Sequence, residues 1–288
     1  MATQKNALLL FSKPPVPGLV KTRLTTEHDG MFSEVQAATL YRRMMLDVLE
    51  CAIEGVDRLE EQNRIAREAD PSLVEQTYEV FVSTTPADSV QKMEALLAEE
   101  GPWSRPVTVM LDKGKVFDDH FDDAFNQLFE QGFGTVVALG GDLPIMPRQH
   151  IVDAFNWLHH FQELYPEGGM VLTPCQASGT SLVGYTAESG MNHQKVYYNN
   201  SGRPALQAYL DKARALGGVH TALLDTVPDV DTIEDFSHVV SYINALEYVH
   251  EDQDLFLPHR TLYFIRVMKL KVTTPPNRNH DSREGIDV

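Results

Sequence analysis

The stretch Ala7–Leu24, ALLLFSKPPVPGLVKTRL, sets two unlike patterns end to end. Ala7–Phe11 is an unbroken apolar run, the pattern of a strand covered on both faces. Pro14, Pro15, Pro17 and Gly18 then stop the strand in a stiff loop, and Lys13, Lys21 and Arg23 make that loop cationic. Open α/β sheets bind ligands outside the carboxyl ends of their strands, so the loop is a candidate anion site. Gly18 permits close backbone approach, and the cations can meet phosphate oxygens. The GxxxxGK[ST] spacing of a P-loop is absent.

Outward from this stretch, strands and helices alternate. Residues 33–54 form a helix with SEVQ as its capping box, and the charged segment 57–72 continues it as a solvated extension and connector. Strands follow at 78–84, 107–111, 135–139, 170–173, 181–185 and 219–224. Helices are expected at 89–100, 118–131, 148–164, 203–216 and 233–248. The one at 118–131 repeats apolar residues at Phe121, Ala124, Phe125, Leu128 and Phe129 along one face. This alternation predicts an α/β fold with a mostly parallel central sheet and helices on both faces. Residues 1–252 are expected to form that domain and 253–288 a C-terminal extension. In the extension 262–272 docks as a helix or strand, or lies on a membrane surface as an amphipathic element, and the last dozen residues are disordered.

Composition narrows the function. Of 288 residues 43% are hydrophobic and 23% charged, a soluble globular balance. No apolar run approaches the roughly 20 residues of a membrane span, and the N-terminus lacks the features of a secretory signal, so a cytoplasmic location is expected. The net charge of −17 opposes binding to nucleic acid, whose phosphates must be neutralised by Lys and Arg. A small phosphate-bearing ligand is still compatible with locally clustered cations. Cys51 and Cys175 supply neither a disulfide framework nor zinc spacing. The histidines at 159, 160, 193, 250 and 259 lack metal spacing and are expected in the core or on the surface. DDHFDD at 118–123 could bind a cation, but reads first as an acidic helix start that complements the helix dipole.

A second loop stands out. VVALGGDLPIMP places Asp142 just past a buried strand, where a carboxylate can hold a metal against a bound phosphate or cap the next helix.

Together these loops resemble a known family. FSKPPVPGLVKTRL is similar to the N-terminal signature of the DUF2064 proteins, a branch of the GT-A nucleotide-diphospho-sugar transferase superfamily, and to the KxxxxAKSRL opening of the phospholactate guanylyltransferases. GGDLP and SGTSLVG (Ser178–Gly184) are closer to the guanylyltransferases. DVDTIEDF (Asp229–Phe236) resembles the DxDTxEDL shared with molybdenum-cofactor nucleotidyltransferases. The likeness spans about residues 5–250.

The resemblance implies a GT-A, Rossmann-like three-layer sandwich. It puts Lys13, Gly18, Lys21, Arg23 and Gly141 at a nucleotide, with Lys21, Arg23 and Asp142 catalytic. It makes Asp142 the first ligand of a Mg²⁺ or Mn²⁺ ion and Asp229 or Asp231 the second, with Asp231 also able to cap the helix at Thr232. Gly179, Thr180, Ser181 and Arg203 would face the acceptor. The implied reaction transfers a nucleoside monophosphate from a nucleoside triphosphate to a small anionic, phosphate-bearing acceptor and releases pyrophosphate. The alternatives are glycosyl transfer from a nucleotide sugar and a nucleotide-binding protein without catalysis. Three departures bear on the acceptor. Ser181 stands where the guanylyltransferases carry Asn. Ala177 and Ser178 replace the first two residues of a family Asp-Gly-Gly, and Arg203-Pro204 replaces a guanylyltransferase Ser-Phe.

Overall fold

A computed structural model describes residues 3–273. Its strands are β1 (Thr3–Phe11), β2 (Glu75–Thr84), β3 (Val107–Leu111), β4 (Phe133–Gly140), β5 (Gly169–Pro174), β6 (Thr180–Thr186) and β7 (His220–Leu223). Its α-helices are α1 (Glu34–Ala69), α2 (Ala87–Glu100), α3 (Phe117–Glu130), α4 (Arg148–Leu164), α5 (Ala205–Ala215), α6 (Ile233–Gln253) and α7 (His259–Val267). The strands form one sheet in the order β3-β2-β1-β4-β6-β5-β7. Every adjacent pair is parallel except the two made by β6, which runs against β4 and β5. This is the three-layer α/β sandwich that the alternation predicts.

The apolar run of β1 is explained by its position. Leu8 and Leu10 face a cluster built with α1, α2 and α4, while Ala7 and Leu9 face another built with α3 and α5. A central strand buried on both faces has no solvent side and so no polar alternation. A third cluster lies behind the ligand-side loops. It joins Val20, Leu24 and Phe32 of the β1–α1 loop, Tyr41 and Met44 of α1, Val230, and residues of α6 and α7.

α1 begins at the expected capping box, with Ser33 and Gln36 each bonding the other's backbone amide. It runs unbroken to Ala69, so the charged segment after 57 is helical, laced on its exposed side by Arg64 with Glu61 and Glu68. α5 starts at Ala205, two residues later than expected, because Pro204 occupies its N-cap. The chain after α6 docks as helix rather than strand. Buried Asp47 of α1 accepts hydrogen bonds from the Arg260 and Thr261 backbone amides and the Thr261 hydroxyl, and so caps α7 from outside. Leu262, Phe264 and Ile265 of α7 are buried, against the membrane-surface reading of this segment. The expectation of disorder in the last dozen residues lies outside the described residues. No described helix is long and apolar enough to cross a membrane.

Candidate active site

The chain reverses at the carboxyl ends of β1 and β4, and the loops there meet. Beyond β1, Gly18 turns the loop at φ 77°, with its missing Cβ facing the Glu34 carboxylate at 3.0 Å. Lys21 follows in the left-handed region at φ 48°, an uncommon conformation for a side-chain-bearing residue. That conformation aims its ammonium inward. Nζ lies 2.5 Å from Asp142 Oδ2 and 2.9 Å from Asp231 Oδ1, with only 8% of the side chain exposed. Arg23 reaches Asp231 at 3.1 Å from the outside.

Asp142 leaves β4 through Gly140 and Gly141. A Cβ on Gly141 would come within 3.0 Å of Ser12 Oγ, 3.1 Å of Met45 and 3.2 Å of the Tyr41 hydroxyl, so a side chain there would have to push that layer aside by a few tenths of an ångström. Ser12 and Tyr41 are themselves joined at 2.6 Å. The Val230 amide donates to the Asp142 carbonyl at 3.1 Å, fastening the Asp229–Asp231 segment to the β4 loop. The Asp229 backbone is gripped at both ends by Gln176, whose Nε2 donates to its carbonyl and whose Oε1 accepts from its amide.

Carboxylate oxygens of Asp142, Asp229 and Asp231 all lie within 4.8 Å of one another. Three carboxylates face two cations. Burial works against the charge on Lys21, but Asp142 and Asp231 outweigh it and hold its pKa above the ordinary lysine value. Burial also opposes ionisation of Asp231, and the Lys21 ammonium overcomes it, so that carboxyl titrates low. Asp229 has no such partner. Burial, then the charges of Asp142 and Asp231, push its carboxyl up to about 6. Hard, oxygen-only donors in excess of local positive charge suit Mg²⁺ or Mn²⁺.

Neither proposed helix-capping role holds. α4 is preceded by Pro147 and has no side-chain cap, so Asp142 serves the cleft. α6 is capped by Thr232 reciprocally with Asp235, which leaves the Asp231 carboxylate to Lys21 and Arg23.

The cluster opens into a cleft of about 700 Å³. Lys13, Arg23, Gly141, Asp142, Asp229 and Asp231 line it, together with Thr180 and Ser181 at the start of β6. Lys21 lines the recess beside it with Lys13 and Arg23. Ser181 also ties down the following loop, since its hydroxyl donates to the Val227 carbonyl. Three expected site residues sit elsewhere. Gly18 and Gly179 shape the loops without lining the cleft; a Cβ on Gly179 would meet Cys175 Sγ at 2.7 Å. Arg203 is exposed and paired with Asp211 on α5, so it offers no cation to the cleft. Ala177 and Ser178, which replace family residues, both stand at positive φ, 56° and 60°.

A connected recess of about 460 Å³ extends over the ends of β1, β2 and β3, lined by Phe11, Ser12, Thr85, Asp112, Lys115 and His120. There Asp112 joins the Ser83 hydroxyl and His120 Nδ1, each at 2.7 Å. His120 touches the carboxylate and not the serine, and Ser83 is fully buried, so this trio has no activated nucleophile.

Sequence reasoning passed over Tyr41, Gln176 and Tyr197. None carries a local signal, because each acts through a partner at least 17 positions away. It also read DDHFDD as a dipole complement or a cation site, and not as a clamp on loops. In the fold Asp118 accepts from the Tyr197 and Tyr198 amides, Asp119 from Lys115, Asp122 from His193 and Asp123 from Lys113, so the acidic run clamps both neighbouring loops.

The DUF2064 family model, described as "Uncharacterized protein conserved in bacteria", matches residues 72–200. Over that segment, just under half of its length, the chain is similar to the DUF2064 family. Among solved structures, a protein from Desulfovibrio desulfuricans G20 assigned as a nucleotide-diphospho-sugar transferase aligns over 92% of this chain and 97% of its own. The TM-score is 0.64 and the identity 22%. Residues outside the family match thus share the GT-A fold. A cytidylyltransferase from Leptospira borgpetersenii serovar Hardjo-bovis aligns over 88% of this chain and 97% of its own at 12% identity and TM-score 0.43. A 4-diphosphocytidyl-2C-methyl-D-erythritol synthase from Anaerococcus prevotii DSM 20548 gives 84%, 96%, 10% and 0.48. No curated protein matches this chain.

Proposed function

We propose that the protein is a metal-assisted nucleotidyltransferase, moving a nucleoside monophosphate from a nucleoside triphosphate to a small phosphate-bearing acceptor. The observation that carries this is the junction of Lys21 with Asp142 and Asp231, with Arg23 and Asp229 beside it, at one end of a cleft over the sheet. The nucleoside would occupy the recess over β1–β3 and the acceptor the end near β6.

Asp142, with Asp229 and Asp231, would hold Mg²⁺ or Mn²⁺, and the bound ion would offset charge on the triphosphate. Lys21, Arg23 and Lys13 give the phosphate oxygens cationic partners. Gly141 keeps Tyr41 and Ser12 packed beneath the loop that carries Asp142. An acceptor phosphate oxygen attacks the α-phosphorus, a new P–O bond forms, the bridge to the β-phosphate breaks, and pyrophosphate leaves. No covalent enzyme intermediate is needed, and acceleration comes from alignment and charge offset.

A second reading, glycosyl transfer from a nucleotide sugar, is supported by the fold match to the Desulfovibrio protein and by the Asp229-Val230-Asp231 pair in the cleft. The test is ³¹P NMR of the protein with each nucleoside triphosphate, Mg²⁺ and a panel of phosphorylated acceptors, and in parallel with nucleotide sugars. Pyrophosphate release that depends on an acceptor supports nucleotidyl transfer. Nucleoside diphosphate release from sugar donors alone would replace it with the second reading.

A further inference from the structure

We propose that the Lys21 ammonium holds the cation position between Asp142 and Asp231 in the free protein, so that a divalent ion enters only together with a polyphosphate that draws Lys21 away. This regulation rests on the nucleotidyl-transfer reading above for the ion and the polyphosphate; the exclusion itself comes from the contacts of Lys21.

The ammonium fills the space between two of the three carboxylates. Nζ donates to Asp142 Oδ2 at 2.5 Å and to Asp231 Oδ1 at 2.9 Å, while Arg23 takes Asp231 Oδ2 at 3.1 Å. Both oxygens of Asp231 and one of Asp142 thus already have a cation. Among the described residues Asp229 makes no ion pair, and its main chain is braced by Gln176. An ion shared by Asp142 and Asp231 would need the oxygens that Lys21 holds. Lys21 cannot stay beside it. Its side chain is only 8% exposed, so little water screens the repulsion between two cations in contact.

Charge balances as an exchange. With all three carboxylates ionised, Lys21 and Arg23 leave one negative charge without a partner. Once Lys21 withdraws there are two, which one divalent ion neutralises. The side chain also has a place to go. Lys21 lines the recess of about 230 Å³ with Lys13, Thr22 and Arg23, so a swing of its flexible stem carries Nζ from the carboxylates to an anion seated there. The anion frees the oxygens for the ion, and the ion frees Lys21 for the anion. Each therefore raises the affinity for the other, by the same factor in both directions.

The experiment is titration of the full chain with Mn²⁺ alone, followed by calorimetry and by the electron paramagnetic resonance signal of free Mn²⁺. It is run on the parent, Lys21→Ala, Lys21→Gln, Arg23→Ala, and Lys21→Ala combined with Asp142→Asn. Both Lys21 variants are expected to bind one Mn²⁺ at least about ten-fold more tightly than the parent, with Lys21→Gln keeping a donor for the carboxylates in case Lys21→Ala folds poorly. Adding Asp142→Asn should cancel the gain. Arg23→Ala removes an equal charge from the exposed side of Asp231 but leaves the ammonium in place, so it should change Mn²⁺ affinity by less than about three-fold. In the parent, the complex of Mn²⁺ with inorganic tripolyphosphate should bind at least about ten-fold more tightly than either component alone. Parental Mn²⁺ affinity equal to that of the Lys21 variants overturns the proposal. So does an equal gain in Arg23→Ala, or a Mn²⁺–tripolyphosphate complex that binds no better than its parts. These titrations use no nucleoside, so failure of the nucleotidyl reading shows separately as absent pyrophosphate release.

Discussion

Lys21 stands at φ 48° with its ammonium between Asp142 and Asp231. A left-handed lysine costs about 1 kcal/mol or more, and the two ion pairs hold it there. Lys21→Ala removes the centre of the cluster. Triphosphate affinity is expected to fall roughly ten-fold, read by calorimetry, with a smaller effect on turnover at saturation. Asp142→Asn keeps the shape and removes one negative charge, so turnover should fall on the order of 100-fold or more while circular dichroism and melting stay near the parent values. Near-parental turnover in Asp142→Asn would remove this carboxylate from the reaction. The candidate residues Lys21, Arg23 and Asp142 were legible because GLVKTRL and GGDLP sit just past buried strands. Their mutual contact was not, since Lys21 and Asp142 are 121 positions apart and only the fold joins them.

α7 shows how a helix can bear on a distant site. Its buried residues share a cluster with Val20, Leu24 and Tyr41 behind the phosphate-side loop and with Val230 between Asp229 and Asp231. Asp47 secures the helix by accepting from Thr261 at 2.7 Å through both backbone and hydroxyl. Asp47→Ala should lower unfolding stability by about 3 kcal/mol in a urea melt, because the first turn of α7 loses its acceptor inside the protein. A change below ~0.5 kcal/mol would show that α7 does not depend on this contact. The elements themselves were largely legible. Strands β1 and β4 are apolar on both faces, and α3 repeats its apolar residues at helical spacing. The reversed direction of β6 was not, because an apolar run gives a strand without its polarity. Nor was the role of DDHFDD, since an aspartate on a helix start looks the same whether it meets the helix dipole or a loop 79 residues away.

Across the whole molecule, stability should depend on a histidine far from the cleft. His159 of α4 is 2.9 Å from the Asn6 side-chain oxygen, which also accepts from Thr135, in a polar knot under β1, β2 and β4. Burial lowers its pKa to about 4. The unfolded chain, with an ordinary imidazole, binds the proton first as pH falls below about 6.5. Stability is therefore full above that value and drains away down to about pH 4, by on the order of 3 kcal/mol in total. His159→Gln, which keeps a donor but cannot titrate, should flatten that part of the pH profile in denaturant melts; an unchanged profile would place the proton elsewhere. The overall charge of −17 makes the cationic loop an exception in its own protein, and the central claim is that this exception binds a triphosphate together with a divalent ion. The most direct measurement is calorimetric titration with each nucleoside triphosphate, with and without Mg²⁺, in the parent and in Asp142→Asn. Binding of at least one triphosphate that requires Mg²⁺ and weakens at least about ten-fold in the variant is the predicted result. Binding that ignores both Mg²⁺ and Asp142, or that occurs only with nucleotide sugars, would contradict it.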